Sequence, residues 1–266
     1  MSAATFKPHP HGCESTVVVV DLDGTVIPDL PAMRTAAAAV LDTLPLCAGS
    51  ITAEHPLVDD LLRVARQRWR ASPIRSQPEA LGVSSWEALW SNLEHQDPTT
   101  SPQPTPHAVA VWHDILSTHH GDPGHARTAA HLLITHREAL VHPYPGSRDA
   151  LARLSGDHRL WLVTHGSSPL QRRKLHLAGL NQYFERIYIS AEVGHLKDTP
   201  AFAALLHRHA HDTGQQISAV IGDSTSDLTL ATHGGWPAIH ICPAPCTHQD
   251  PHVRHRRTLA DIPPID

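Results

Sequence analysis

Asp21 and Asp23 close a run of four valines, and Asp223 and Asp227 follow a second apolar run. Carboxylates brought together in one crevice repel unless a cation or a proton neutralises them. Oxygen-only donors suit Mg²⁺, which keeps several of its waters and is usually held by a few carboxylates together with a substrate phosphate. A lysine and a hydroxyl beside such a site, here Lys197 and Thr164, would offset the remaining charge of a phosphoryl group. Of two neighbouring carboxylates, one could attack phosphorus and the other could protonate the leaving oxygen and then activate water. The plain alternative at each position is an Asp or Thr that only caps the following helix.

These residues must be positioned by the elements before them. Thr16–Val20 is β-branched without polar alternation, as expected of a strand buried on both faces of a parallel sheet. Further strands are expected at Leu160–Val163, Ile187–Ser190, Ser218–Ile221 and Ala238–Cys242. Helices are expected at Ser147–Leu154, Leu170–Ala178 with Gly179 as its stop, Pro200–Ala210 and Asp227–Thr232. Strand-helix alternation with right-handed crossovers predicts a doubly wound, Rossmann-like α/β core. Ligands of such sheets sit beyond the carboxyl ends of the strands, where Asp21, Asp23, Thr164, Lys197, Asp223 and Asp227 are all expected. Between Pro31 and Val141 no strand is legible. Ala32–Leu44, Pro56–Ala71, Trp86–His95, His107–His119 and Gly124–Val141 read as helices separated by Pro-rich breaks. The expected organisation is an N-terminal flexible segment 1–15, a core formed by 16–27 and 143–266, and a helical insertion 28–142.

In order along the chain, Asp21-Leu-Asp-Gly-Thr25, Leu162-Val-Thr-His-Gly-Ser167, Lys197 and Gly222-Asp-Ser-Thr-Ser-Asp227 resemble the four signatures of the haloacid dehalogenase superfamily. The resemblance implies a helical cap of the first type in the insertion, with Pro143–Ser147 as the return to the core. It implies Asp21 as nucleophile and Asp23 as general acid/base. Thr164, with the backbone around His165, would hold the phosphoryl oxygens, and Lys197 would neutralise Asp21 and the phosphate. Mg²⁺ would be bound by Asp21, Asp223 and the Asp23 carbonyl, with Asp227 in an outer position. Two residues depart from the family pattern: His165 stands where Asn is common and Asp198 where Pro is usual. The His165 side chain reads as a solvent-facing loop histidine, the alternative being a place near the leaving group.

The resulting expectation is a Mg²⁺-dependent phosphatase for a small phosphomonoester of the sugar phosphate or nucleoside monophosphate class. In the dehalogenase branch the resemblance would imply a non-acidic residue at the position of Asp23 and no metal, yet Asp23 and Asp223 are both present. Phosphonate cleavage would require a lysine in the insertion, and the chain's lysines are Lys7, Lys174 and Lys197. A sugar-phosphate mutase would need basic residues in the cap. Arg63, Arg66 and Arg70 share one helix face, with Arg127 and Arg137 as weaker candidates, although a solvated face is the simpler reading. A non-catalytic binding or regulatory relative is the other alternative.

With 266 residues, 41% apolar and 18% charged, the chain has the composition of a globular protein with a full core. Its longest apolar stretches are too short for a membrane helix. A net charge of −5 without basic tracts excludes nucleic acid as an expected partner. Residues 1–15 contain no apolar h-region of a signal peptide. Four cysteines (Cys13, Cys47, Cys242, Cys246) form no disulfide framework and suggest a reducing cytoplasm. Cys242 and Cys246, with His240 and His248 nearby, have spacing too loose for a typical zinc site. Trp86 and Trp90 read as cap core, and His119, His120 and His125 as loop residues. A monomer or a homodimer is expected.

Overall fold

The computed structural model describes residues 15–46, 49–243 and 253–265. Its centre is a six-stranded parallel sheet: β1 (Ser15–Val20), β2 (Arg159–Thr164), β3 (Arg186–Ile189), β4 (Gln215–Gly222), β5 (Ala238–Ile241) and β6 (Val253–Arg256). The order is β3-β2-β1-β4-β5-β6. Successive strands are therefore added outward in one direction from β1 to β3 and in the other from β4 to β6, and the switch point between β1 and β4 opens a crevice at the strands' carboxyl ends.

The valine run is explained by its two faces. Val18 and Val20 join one apolar layer with Leu160 and Leu162, while Val17 and Val19 join the other with Trp161, Val163, Phe202 and Leu206. Side chains alternate across a strand, so a strand covered on both sides must be apolar at every position. The covering helices are α5 (Ser147–Asp157) and α6 (Ser168–Ala178) on the first face. On the second are α8 (Pro200–Asp212) and α9 (Thr225–Gly234), with the one-turn α7 (Ser190–Val193) directly after β3.

Between β1 and α5 lie α1 (Leu30–Asp42), α2 (Pro56–Ala71), α3 (Pro106–Thr118) and α4 (Ala126–Ala139). Proline in the first turn starts α1, α2, α3, α6 and α8, where the lost N–H has no intrahelical partner anyway. Helix α2 buries Leu57, Val58, Leu61, Val64, Ala65 and Trp69. Its opposite face exposes Arg63, Arg66 and Arg70, the solvated face that the spacing suggested.

Three elements differ from the sequence reading, the first being α7, which begins at Ser190 where a strand end and a short loop were expected. Trp86–His95 is not an α-helix: only Glu87–Leu89 forms a single 3₁₀ turn. Its apolar residues have helical spacing, but the segment spends its polar groups on the sheet side of the molecule. Strand β6 has no counterpart in the sequence reading, because Val-Arg-His-Arg contains no apolar run. As an edge strand it needs only Val253 against the core. Cys13, Cys47, Cys246 and His248 lie outside the described residues.

Candidate active site

The crevice is a cavity of about 580 Å³, lined among others by Asp21, Asp23, Thr164, His165, Lys197 and Asp223. Asp21 follows β1 and is tied to the end of β4 by its N–H, which donates to the Ile221 carbonyl at 2.9 Å. Its side chain is buried, with Oδ1 2.7 Å from Lys197 Nζ and Oδ2 accepting from the Thr25 hydroxyl at 3.2 Å. Gly24 has φ +84°, and a Cβ there would lie 2.1 Å from Asp223 Oδ2, so only glycine lets the β1 turn approach the β4 turn so closely.

Lys197 also contacts Asp227 at 2.7 Å. Asp227 is held in turn by a capping box at the start of α9, accepting from the Ser224 N–H and hydroxyl. Carboxylate oxygens of Asp21, Asp223 and Asp227 lie within 4.8 Å of one another. One ammonium thus faces three carboxylates. Burial pushes the Lys197 ammonium toward neutrality, but Asp21 and Asp227 outweigh it and keep the charge. Burial also drives Asp21 well above the usual carboxylate range; Lys197 opposes that rise, and Asp227 and Asp223 add to it. Asp223 rises to about 6 for the same reasons, burial first and Asp227 next. An all-oxygen donor set with excess negative charge is what a hard divalent cation fits, and such an ion would restore both groups to their ionised form.

Asp23 faces the other way. Both of its carboxylate oxygens accept from Lys174 Nζ, at 2.8 and 2.9 Å, and its side chain is outside the Asp21–Asp223–Asp227 group. Burial lifts it to about 7; Lys174 pulls it down, while Asp29 and Glu87 push it further up. Two carboxyls two residues apart are therefore differentiated. One is held by Lys197 among groups that attract a cation, and the other, held by Lys174, changes its protonation around neutral pH.

Thr164 is buried at the end of β2, 3.4 Å from Gln171 Oε1. His165 is half-buried and lines the cavity instead of facing solvent. Its Nε2 accepts the Lys197 N–H at 2.9 Å, and burial together with Lys197 lowers the imidazole to about 4, so the ring is neutral and anchors the Lys197 loop.

The sequence motifs contain no hint of the network behind Asp23. Lys174, on α6, contacts Glu87 at 2.7 Å and Asp29 at 3.6 Å as well as Asp23. Asp29 accepts from Arg137 at 3.0 Å and from Trp86 Nε1 at 2.5 Å, and Lys174 and Arg137 hold it ionised against its burial. Arg137 is fully buried; its Nη2 also donates to the Pro28 carbonyl and its guanidinium lies 4.6 Å over the Trp90 ring, while Nε and Nη1 have no hydrogen-bond partner among the described residues. Removing one partner of such a buried pair typically costs about 3–5 kcal/mol. The one sequence signal was compositional: Lys174 is a lysine in a chain whose basic residues are otherwise mostly arginine.

A doubly wound sheet with this acidic crevice at its switch point defines a class of α/β hydrolases. A family model described as haloacid dehalogenase-like hydrolase matches residues 16–235, and the chain belongs to that family. It is 30% identical over 243 residues to the phosphoserine phosphatase of Thermus thermophilus, covering 85% of this chain and 88% of the relative. Among solved structures, the HAD-hydrolase YfnB of Bacillus subtilis, bound to magnesium, superposes with a TM-score of 0.59 at 16% identity, covering 94% and 100% of the two chains. The 2-haloacid dehalogenase of Pseudomonas syringae pv. Tomato DC3000 gives 0.54 at 20% identity, covering 92% and 95%. At these identities the two structures speak for the fold alone.

Proposed function

We propose that the protein is a Mg²⁺-dependent phosphatase that hydrolyses a small phosphomonoester through an aspartyl-phosphate on Asp21. The observation that carries this reading is geometric: Asp21 is held by Lys197 beside Asp223 and Asp227, while Asp23, two residues on, turns to Lys174 and has a carboxyl raised to about 7, where it can both give and take a proton. A halide departs without being protonated, so dehalogenation has no use for Asp23, whereas an alkoxide does. The identity to a phosphoserine phosphatase over most of both chains supports the same substrate chemistry.

In the first step an Asp21 oxygen attacks phosphorus, the bond to the leaving oxygen breaks, and the Asp23 carboxyl delivers its proton to that oxygen. In the second, the Asp23 carboxylate takes a proton from water, the hydroxide attacks phosphorus, and the bond to Asp21 breaks. Lys197 and the Thr164 hydroxyl stabilise the phosphoryl oxygens throughout. Asp21, Asp223 and the Asp23 carbonyl would hold Mg²⁺, which when bound neutralises phosphoryl and carboxylate charge. Residues 28–142 act as a cap over a core of 16–27 and 143–266, excluding bulk water during transfer. The substrate is a small metabolite of the cytoplasm, the compartment that the cysteine usage suggested. Among the described residues no helix is long and apolar enough to cross a membrane.

A mutase must grip a second phosphate. Among the described residues lining the cavity, the cap supplies no arginine or lysine, and Arg63, Arg66, Arg70 and Arg127 are exposed elsewhere. The test is phosphate release from a panel of phosphomonoesters at neutral pH, with Mg²⁺ or EDTA. Wild type should release phosphate only with the metal, and folded Asp21→Asn should release none. Release unaffected by Asp21→Asn would sink the mechanism.

A further inference from the structure

Neither Lys174 nor Glu87 belongs to the family's motifs, yet together they connect Asp23 to the segment 81–91. That segment meets the elements around the sheet at several points. The Leu81 carbonyl accepts from Ser190 Oγ at 2.6 Å, and Ser91 Oγ lies 3.1 Å from Ser167 Oγ. Gly82 sits so tightly that a Cβ would come within 2.6 Å of Ser190 Oγ and 3.0 Å of the Gly166 nitrogen. Between these contacts Glu87 enters, buried, and its Oε1 accepts from Lys174 Nζ at 2.7 Å and from Gln171 Nε2 at 2.8 Å. Its other oxygen takes the Ser84 N–H at 2.9 Å, which fixes the carboxylate to its own segment.

Lys174 has no exposure to solvent, so its ammonium must find every partner inside the protein. It divides between Glu87 on one side and both oxygens of Asp23 on the other. A carboxylate gripped at both oxygens by one ammonium cannot rotate freely, and the ammonium itself is centred by Glu87. An ion pair serving only stability would join groups away from the chemistry, whereas here both carboxylates line the cavity.

We propose that Lys174 is a positioning residue for Asp23, and that Glu87 makes this positioning conditional on docking of segment 81–91. The acid/base is then aimed at the leaving oxygen only when the cap is closed. The proposal rests on the reading of Asp23 as the acid that protonates that oxygen.

The test compares kcat/KM for two esters, because this parameter reports the first phosphoryl transfer, where the acid acts. p-Nitrophenyl phosphate has a leaving group that departs unprotonated, while an alkyl monoester such as glycerol phosphate requires the proton. Wild type and Asp23→Asn are measured first: hydrolysis of both esters by wild type, with a selective alkyl loss in Asp23→Asn, upholds the underlying reading by itself. Lys174→Met should then lower kcat/KM for the alkyl ester by about a hundredfold and for p-nitrophenyl phosphate by less than about tenfold. Lys174→Arg should recover part of the loss. Glu87→Gln, which keeps shape and an acceptor, should show the same selectivity at about tenfold, and it carries the test if Lys174→Met fails to fold by circular dichroism. Lys174→Met added to Asp23→Asn should bring no further selectivity. Equal losses on both esters, or no loss on either, would overturn the proposal while leaving the phosphatase reading intact. An Asp23→Asn enzyme without selective loss would overturn both.

Discussion

Asp21 and Asp23 are two positions apart in sequence but belong to opposite charge environments, each facing its own buried lysine. On the Asp21 side the balance is unfavourable without a cation, and the consequence is measurable at Asp223. Its folded-state value of about 6 lies above the ordinary 3.8. Between those values the folded state binds more protons than the unfolded chain, so stability is present below pH 4 and is lost as pH rises through 6. Two units correspond to about 3 kcal/mol at most, and an asparagine keeps an oxygen that can accept from the Thr25 hydroxyl. Asp223→Asn is therefore expected to stabilise the metal-free protein by about 1–2 kcal/mol at pH 8 in urea titrations with EDTA, with the difference vanishing near pH 4. Mg²⁺ should raise the midpoint of wild type and not that of the variant. A variant less stable than wild type at pH 8 in EDTA would contradict this account of the carboxylate cluster.

At the scale of elements, the decisive piece is the segment 81–91 rather than any helix. Gly82, at φ +85°, lies against Ser190 and the Gly166 backbone. Gly82→Ala adds a methyl that can be accommodated only by lifting the segment, because one of the opposing groups is main chain. Its expected effect is a fall in kcat/KM of at least about tenfold, together with faster proteolysis between residues 72 and 105. Wild-type kinetics in this variant would show that docking is dispensable. The same segment marks the boundary of what sequence could reveal. Strands β1, β2 and β4 contain apolar runs (residues 17–20, 160–163 and 219–221), and the polar residues at their ends gave away Asp21, Asp23, Thr164 and Asp223. Lys197 was legible by its place after β3. Glu87 and Lys174 are 87 positions apart, and no local pattern encodes their contact. Trp86, Leu89, Trp90 and Leu93 have the spacing of a buried helix face, but they serve different partners. Trp86 donates to Asp29, Leu89 and Trp90 enter the main core, and Leu93 packs with Trp69 and Val83.

For the molecule as a whole, what matters is how its charges are apportioned at the switch point of the sheet. Lys174 and Arg137 are buried and paired with Asp23, Glu87 and Asp29, three carboxylates that line the cavity. The lining on the proposed cap's side is Asp29, Leu30, Pro31, Gly82, Ser84, Trp86 and Glu87, which among the described residues leaves Lys197, beside Asp21, as the lysine facing the cavity. A single transferring phosphate is thus provided for, and a second one is not. Bringing a second dianion into this cavity would strip its water without supplying a counter-charge, and its nearest carboxylates would repel it. Monoesters whose alcohol carries an amine or only hydroxyls should therefore be turned over well, and a hexose bisphosphate should show kcat/KM lower than the corresponding monophosphate by about tenfold or more, equivalent to about 1.4 kcal/mol. Adding the bisphosphate should not activate turnover of the monophosphate, and chromatography of the products should find free phosphate and the dephosphorylated alcohol, not an isomeric ester. Preference for the bisphosphate, or an isomer as product, would mean that the cap rearranges to free Arg137 or to bring in an exposed arginine, and the mutase would then displace the phosphatase as the better reading of this cavity.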